Sequence, residues 1–205
     1  MDRSDIVIVT PALADANNGN WQTAHRWERI LSRTYRVRLC QAWEGGPESL
    51  LIAMHARRSA HSVAAWRSTH ADRPILLVLT GTDLYRDIAR DDSAKQSIRF
   101  ADSLVVLNEL GAQRLAPQDR EKTSVILQSS SPRKALHRTD RHLRALMVGH
   151  LRAEKSPQTF FNAARRLVDR DDILLDHIGS ALDPALGEQA QALMQQCPQY
   201  RWLGP

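Results

Sequence analysis

The sequence predicts an α/β chain with two parallel-sheet domains, the second of them incomplete. Short apolar, β-branched runs alternate with segments of helical period, which is typical of a parallel sheet covered by helices on both faces. Six such runs occur within residues 1–128, and a polar stretch without apolar periodicity follows them. The alternation then restarts and fills the rest of the 205 residues with less than half of a second domain.

The first domain, residues 1–128, is predicted element by element from local patterns. DIVIVT (Asp5–Thr10) and PILLVLT (Pro74–Thr80) are continuous apolar runs of the kind found in buried strands. Trp21–Thr34 carries apolar side chains at helical spacing. The full series predicts strands over Asp5–Thr10, Tyr35–Cys40, Leu50–His55, Pro74–Thr80, Ser103–Leu107 and Thr123–Gln128, and helices over Trp21–Thr34, Arg57–Ala71, Asp91–Ala101 and Glu109–Ala116. Six strands with these crossovers make a Rossmann-like domain.

A polar segment separates this domain from a second Rossmann-like pattern. Residues 129–142 lack apolar periodicity and are predicted to form a linker. Residues 143–205 are predicted to begin the second domain. Its strands are expected over Leu143–Val148, Ile173–Ile178 and Tyr200–Leu203, and its helices over Ser156–Val168 and Pro184–Cys197.

The positive charge is concentrated in one short stretch. The chain has 28 basic and 23 acidic residues, and residues 129–150 alone hold five basic residues and one acidic residue. Nucleic-acid binders usually spread basic residues over a face and interleave aromatic ones. We therefore expect no nucleic-acid partner. Two interpretations remain, a solvated basic linker or a linker that attracts anions to a neighbouring cleft.

The sequence also bounds the cellular setting and excludes several classes of enzyme. No apolar run approaches the roughly 18 residues of a membrane span, and the acidic N-terminus is unlike a signal peptide. The two cysteines, Cys40 and Cys197, are far apart, which favours a reducing cytoplasm over a disulfide framework or a zinc site. HExxH and GxSxG motifs are absent, so no metal, metalloprotease or α/β-hydrolase site is expected.

Candidate site residues lie where predicted strands end, because parallel sheets bind ligands at the carboxyl ends of their strands. After the first strand, Gly19 would permit a tight turn, and Asn20 would cap the next helix. The N-terminus of that helix would then offer N–H groups to an anion. The spacing alone favours this interpretation no more than a simple capping loop.

After the third strand comes the segment His55-Ala56-Arg57-Arg58. His55 could serve as a hydrogen-bond donor, a cation or a proton carrier. Arginines at a helix start oppose the helix dipole, so Arg57 and Arg58 make sense if an anion lies in front of them. For this segment in isolation, a structural histidine beside solvated arginines is the better supported interpretation.

After the fourth strand comes a small polar turn, Gly81-Thr82-Asp83, followed by Arg86. Its place at the end of a central strand indicates a substrate loop. Asp83 could accept hydrogen bonds from sugar hydroxyls or cap the next helix. Arg86 could bind an anion or pair with a neighbouring aspartate.

The second domain opens with Gly149-His150-Leu151-Arg152-Ala153-Glu154-Lys155. Gly149 permits close backbone approach, and Arg152 and Lys155 are three residues apart, so that both could face one diphosphate. The alternative is ordinary surface charge on a turn. With a strand directly upstream, the spacing favours the phosphate interpretation.

These motifs together resemble a known family. The glycine loop and the G-x-L-x-x-E-K segment are similar to GT-B glycosyltransferases of the glycogen-synthase-like group. NNGNWQTAHRWERIL, LLIAMHARRSA, LLVLTGTDLYRDI and VGHLRAEKSP resemble the selenosugar synthases of selenoneine biosynthesis. The resemblance covers essentially the whole chain. It implies a GT-B fold and transfer of a sugar from UDP-GlcNAc or UDP-glucose to selenophosphate, with no cofactor. It also implies a link to a selenophosphate-producing enzyme and a selenoneine synthase.

The resemblance also implies roles for the candidate residues. Gly19, Asn20, Gly149, Arg152 and Lys155 would bind the nucleotide sugar. The acceptor would be bound by Arg57, Arg58, Thr82 and Arg86, with His55 and Asp83 as the catalytic, orienting pair. Selenophosphate is itself an anionic nucleophile, so no side-chain nucleophile is needed.

One departure from the family pattern lies in the second domain. Related enzymes carry a late E-x7-E element that holds ribose and donor sugar, and the chain ends before such a position. We therefore expect either a fragment of a longer enzyme or a truncated gene product, which would bind donor weakly and turn over poorly. Two alternatives stay open: a GT-B enzyme with an ordinary hydroxyl acceptor, and a non-catalytic anion-binding module.

Overall fold

The nine predicted strands are all present, in two separate parallel sheets, in a computed structural model of the chain. The structure describes residues 5–14, 18–135, 137 and 139–205. Parts of the predicted first loop and of the predicted linker lie outside them. Contacts divide the chain into unit 1, Met1–Ser131, and unit 2, Pro132–Pro205.

Unit 1 is built on a six-stranded parallel sheet. Its strands are β1 (Asp5–Val9), β2 (Arg36–Cys40), β3 (Leu50–Met54), β4 (Ile75–Leu79), β5 (Ser103–Val106) and β6 (Thr123–Val125). They lie in the order β2-β1-β3-β4-β5-β6. The chain thus steps out from β1 to β2 on one side and returns to β3 on the other, which places the topological switch point at the carboxyl ends of β1 and β3.

Helices cover both faces of this sheet. They are α1 (Gly19–Leu31), α2 (Ala60–Thr69), α3 (Ile88–Arg90), α4 (Asp92–Phe100) and α5 (Pro117–Arg120). Alternate strand residues point to opposite faces, so Val7 and Leu77 pack in one core cluster with Trp66 of α2, while Ile8 packs in the other with Ala24 of α1. Burial on both faces explains why the central strands β1, β3, β4 and β5 read as continuous apolar runs, whereas the edge strands β2 and β6 are partly exposed.

Three segments of unit 1 differ from the sequence prediction. The helix expected over Arg57–Ala71 begins only at Ala60, because a turn follows β3. The segment Asp83–Asp87 forms a π-helical turn that no sequence pattern indicated. The helix expected over Glu109–Ala116 is reduced to a 3₁₀ turn, Gly111–Arg114.

Unit 2 contains a three-stranded parallel sheet in the order β7-β8-β9. The strands are β7 (Leu143–Val148), β8 (Ile173–Ile178) and β9 (Tyr200–Gly204), and the helices are α6 (Pro157–Arg166) and α7 (Pro184–Gln196). Phe161, Leu193 and Tyr200 are fully buried between helices and sheet. The strand–helix alternation places the loop after β7 at the carboxyl edge, as in unit 1.

Candidate functional site

The turn after β3 brings His55 back over the end of its own strand. His55 has φ 75°, a left-handed conformation that a non-glycine residue adopts only where its surroundings stabilise it. Here the Ser59 hydroxyl donates to the Met54 carbonyl at 2.6 Å, and the Ser59 N–H donates to the His55 carbonyl at 3.0 Å. These two bonds close the turn and delay the start of α2, so that Arg57 and Arg58 lie in the turn itself.

The imidazole of His55 is 2% exposed and bridges two loops. Its Nδ1 accepts the backbone N–H of Arg58 at 3.3 Å, and its Nε2 lies 3.0 Å from the Thr82 hydroxyl. Burial lowers the pKa of His55, an effect that Arg58 and Arg57 reinforce and Asp83 and Asp87 oppose. The ring is therefore neutral at pH 7. Of the roles expected for His55, this supports a hydrogen-bond donor and disfavours a cation.

Asp83 fastens the loop after β4 to the turn after β3. Its Oδ1 accepts the N–H groups of Thr80 and Gly81 at 3.0 and 2.8 Å, and its Oδ2 accepts the N–H of Ala56 at 3.0 Å. The side chain is fully buried. Both oxygens are occupied by backbone N–H groups and neither reaches solvent in this conformation, so the expected contact between Asp83 and sugar hydroxyls stays a prediction. Asp83 positions the loops.

Asp87 joins the arginines of the two loops. Its Oδ2 accepts from Arg57 Nε at 2.8 Å and its Oδ1 from Arg86 Nε at 3.0 Å. Burial raises the pKa of Asp87, but the hydrogen bonds from both arginines outweigh this and hold it below its ordinary value. The Arg57 and Arg86 side chains stay 39% and 51% exposed. Arg58 is exposed too, and its guanidinium has no partner within the described part of the chain.

The structure thus brings all four predicted acceptor residues, together with His55, to two neighbouring loops. His55, Arg57 and Arg58 follow β3, and Thr82 and Arg86 follow β4, its neighbour in the sheet. Asp87 is the carboxylate that connects the two groups; its pairing with Arg86 is one of the alternatives expected for that arginine, and its bond to Arg57 was not foreseen. A motif could not reveal it because Asp87 and Arg57 are 30 positions apart and meet only through the sheet order.

The start of α1 is capped differently from the prediction. Asn18, not Asn20, is the N-cap, and its Oδ1 accepts the N–H groups of Asn20 and Trp21 at 3.1 and 3.2 Å. Two amides expected to face an anion are therefore already bonded. No atom lies within 4 Å of a Cβ placed on Gly19, so this residue faces open space. The nucleotide-binding role of Gly19 and Asn20 stays a prediction.

The loop after β7 holds the predicted diphosphate residues of unit 2. Arg152 precedes the 3₁₀ turn Ala153–Lys155, and its Nε lies 4.0 Å from Glu154 Oε2. That Nε is buried and has no hydrogen bond within the described residues, while Lys155 is exposed. The Gly149 carbonyl accepts from His177 Nε2 at 3.0 Å, which fixes the start of the loop. The diphosphate role of this loop stays a prediction.

Gly179, after β8, is a second glycine of this edge that the motifs did not reveal. It has φ 151°, and a Cβ there would lie 2.1 Å from the Gly149 carbonyl oxygen. Only glycine fits this contact between the two loops. Sequence reasoning passed over it because a single glycine in Ile-Gly-Ser carries no spacing signal.

Two negative findings concern the described residues alone. Among them, no group of three or more histidine, cysteine, aspartate and glutamate side chains is arranged to hold a metal ion. No helix found in the described ranges has both the length and the apolar character needed to cross a membrane.

Comparison with known proteins identifies the fold of the chain. No protein-family model and no curated protein sequence matches the chain. The galactosyltransferase WaaB of the lipopolysaccharide outer core superposes with a TM-score of 0.63 at 12% identity, over 98% of this chain and 68% of its own. A Listeria monocytogenes protein assigned as a UDP-N-acetylglucosamine 2-epimerase gives 0.64 at 11% identity, over 99% and 69%. The chain has a GT-B-type fold.

This finding confirms the predicted fold class of two Rossmann-like parallel-sheet domains. S. aureus TarM, solved as a mutant with fondaparinux, alpha-GlcNAc-glycerol and UDP, has a TM-score of 0.57 at 13% identity over 76% of this chain. The chain spans 32% of the TarM length. At such identities the likeness to GT-B structures establishes the fold alone.

Proposed function

We propose that this GT-B chain belongs to a glycosyltransferase that joins selenophosphate to the sugar of UDP-GlcNAc or UDP-glucose. The observation that carries the proposal is the cluster that Arg57 and Arg86 form on Asp87, with the exposed Arg58 in the same turn as Arg57, at the carboxyl ends of β3 and β4. This cluster lies beside the switch point, where open α/β sheets bind their ligands.

The charge and exposure of the cluster suit a phosphate-type anion. Three guanidinium groups face solvent, while the carboxylates of Asp83 and Asp87 are buried beneath them. Arginine binds phosphate oxygens through charge-assisted, often bidentate hydrogen bonds. Because Asp87 engages Arg57 through Nε, the terminal nitrogens of Arg57 remain available to such a ligand.

The proposed reaction needs positioning more than side-chain nucleophiles. The selenium of selenophosphate attacks the anomeric carbon, a carbon–selenium bond forms, and the carbon–oxygen bond to the diphosphate breaks with its electron pair leaving on UDP. Water then attacks phosphorus, the phosphorus–selenium bond breaks, and phosphate and the selenosugar are released. The chain must hold two anions close together and stabilise the departing diphosphate.

In this proposal the loop after β7 supplies the second anion site. Arg152 and Lys155 take the diphosphate of the UDP-sugar. The buried Nε of Arg152 lies 4.0 Å from Glu154 Oε2 but has no hydrogen bond within the described residues, which supports a diphosphate oxygen as its hydrogen-bond partner. A Gly149 backbone fixed by His177 presents the loop at the carboxyl edge of β7 and β8.

The decisive experiment is mass spectrometry of the products formed from selenophosphate and UDP-GlcNAc. We expect a selenosugar together with UDP and phosphate. Calorimetry on the chain separates the two sites. Arg152→Ala with Lys155→Ala should abolish UDP binding, whereas Arg166→Ala, an exposed residue of α6, should leave it unchanged. Unaltered UDP binding in the double variant would contradict the donor assignment.

An ordinary hydroxyl acceptor is the second candidate, and one further feature favours it. A groove of about 430 Å³ beside the π-helical turn is lined by Tyr85, Asn108, Leu110, Gln113 and Arg114. Asn108 Nδ2 donates to the Tyr85 hydroxyl at 3.0 Å, and Arg114 lies 5.8 Å from the ring centre. Aromatic and amide side chains of this kind suit a sugar. Transfer to a sugar or lipid hydroxyl, with none to selenophosphate, would establish this candidate, and absence of saturable UDP binding would favour a non-catalytic module.

A further inference from the structure

The hydrogen bonds of His55 determine which ring nitrogen carries its proton. The backbone N–H of Arg58 points at Nδ1 from 3.3 Å, and a backbone amide can only donate. Nδ1 must therefore be the unprotonated acceptor. In a neutral imidazole the proton then sits on Nε2.

The Nε2–H group is directed at Thr82. Thr82 Oγ1 lies 3.0 Å from Nε2, so the histidine donates and the threonine oxygen accepts. Asp87 Oδ2, 3.9 Å from Nε2, favours a proton on that nitrogen. The charged groups around the ring are Asp83, Asp87, Arg57 and Arg58, two of each sign. Their fields oppose one another, and burial keeps the ring neutral.

This arrangement leaves the hydroxyl proton of Thr82 without an acceptor. Its oxygen already receives the Nε2–H group, and within the described ranges no atom receives a hydrogen bond from Thr82. Thr82 is partly exposed and follows directly on the loop that Asp83 ties down. The Thr82 hydroxyl can therefore donate its proton to a ligand.

We propose that His55 is a positioning residue whose Nε2–H group holds the Thr82 hydroxyl as a hydrogen-bond donor to a phosphate-type anion bound by Arg57 and Arg58. The inference rests on the proposed acceptor site and gives it a directional, uncharged donor. His55 then acts through Thr82 and neither accepts nor releases a proton during the reaction. The left-handed backbone of His55 is what turns its ring toward the neighbouring loop.

Inorganic phosphate is the probe for the first test, with affinity for the 205-residue chain measured by calorimetry at constant pH and salt. Thr82→Val removes the donor and should weaken binding about tenfold, the effect of losing one hydrogen bond to a charged group. Thr82→Ser keeps the hydroxyl and should bind within about twofold of the wild type. Thr69→Val, on the exposed side of α2, is the matched control and should have no effect.

The second test addresses His55 directly. Long-range ¹H–¹⁵N NMR should show the Nε2–H tautomer, unchanged between pH 8 and pH 6.5. His55→Gln retains an amide N–H for Thr82 and should keep more phosphate affinity than His55→Leu, while Thr82→Val should add little to His55→Leu. An Nδ1–H tautomer, a ring that titrates in this range, or undiminished affinity in Thr82→Val would overturn the inference.

The outcomes separate the inference from the proposed function. If Arg57→Ala weakens phosphate binding while Thr82→Val does not, the acceptor site stands and the donor role of Thr82 is wrong. If neither substitution changes the affinity, the acceptor site itself is wrong.

Discussion

Asp83 and Asp87 are four residues apart in one π-helical turn and have different structural roles. Asp83 accepts only backbone N–H groups and shapes two loops. In its described hydrogen bonds, the carboxylate of Asp87 accepts only from guanidinium groups, and it aligns Arg57 with Arg86. The difference follows from depth, since Asp83 lies directly over the strand ends and Asp87 lies one turn farther out. A π-helical turn, with its wider backbone, places both carboxylates inward.

Removal of the Asp83 carboxylate should destabilise unit 1. Asp83→Ala leaves the N–H groups of Ala56, Thr80 and Gly81 without their acceptor, and buried unsatisfied donors cost about 1–3 kcal/mol each. We expect the free energy of unfolding to fall by about 3 kcal/mol in urea titrations. Asp92→Ala, whose side chain is 93% exposed, is the control and should change little. A similar small change in Asp83→Ala would refute the role given to Asp83.

The buried histidines should make folding weaken in acid. Burial lowers the pKa of both His55 and His177 from 6.5, so the unfolded chain binds protons that the folded chain does not. Stability should be level above pH 6.5 and fall as the pH drops below it. Below about pH 4.5, Glu48 and Asp87, whose pKa values are lowered in the fold, add a further loss.

Urea titrations at pH 7.5, 6.5 and 5.5 measure this dependence. His55→Gln should reduce the slope between pH 6.5 and 5.5, whereas His61→Gln, an exposed position on α2, should leave it as in the wild type. Equal slopes in all three proteins would show that His55 binds its proton equally well in the folded and the unfolded chain.

At the scale of elements, the strands were predictable and the turns between them were not. Every predicted strand exists, and central runs such as PILLVLT gave the clearest signal because they are buried on both faces. The late start of α2 depends on the Ser59 and His55 turn, and the cap of α1 depends on which of several asparagines faces the helix. Such choices follow from backbone geometry that residue type alone does not specify.

In the candidate site too, the residues that end strands were predictable and the contacts between loops were not. The sequence indicated His55, Arg57, Arg58, Thr82 and Arg86 because they end predicted strands. It named Asp87 only as a possible partner of Arg86 and did not indicate the bonds of Asp87 to Arg57 or of Asp83 to Ala56. Those partners are 30 and 27 positions away, and the packing of two loops brings them together.

The contact between the loops after β7 and β8 should tolerate no side chain at Gly179. Gly179→Ala would place a Cβ 2.1 Å from the Gly149 oxygen at φ 151°, so the loops must separate. We expect a loss of about 3 kcal/mol in unit 2, from strain and overpacking together. Gly19→Ala, where the new Cβ meets no atom within 4 Å, is the control and should be nearly neutral. A folded, equally stable Gly179→Ala variant would contradict this geometry.

At the scale of the whole molecule, the charge distribution argues against nucleic acid as a partner. The net charge of +5 comes largely from residues 129–150, and the cluster in unit 1 is small and partly neutralised by Asp87. A charge excess confined to one short stretch differs from the broad basic face of a typical nucleic-acid binder.

A salt titration tests this interpretation. Five basic residues in 129–150 can release at most about four to five counterions from duplex DNA, so the slope of log K against log salt should not exceed about 4.5. At 150 mM salt we expect no saturable binding in fluorescence anisotropy with a labelled duplex. Tight binding that survives this salt concentration would reinstate a nucleic-acid partner.

The carboxylate of Asp83 should also make the loops after β3 and β4 open together. Because it holds the amides of Ala56, Thr80 and Gly81 at once, displacement of the Asp83 side chain frees both loops together. These three amides should therefore exchange with deuterium at one shared rate, as a single cooperative unit. An anion bound by Arg57 and Arg86 would slow that opening for both loops together, although it contacts none of the three amides.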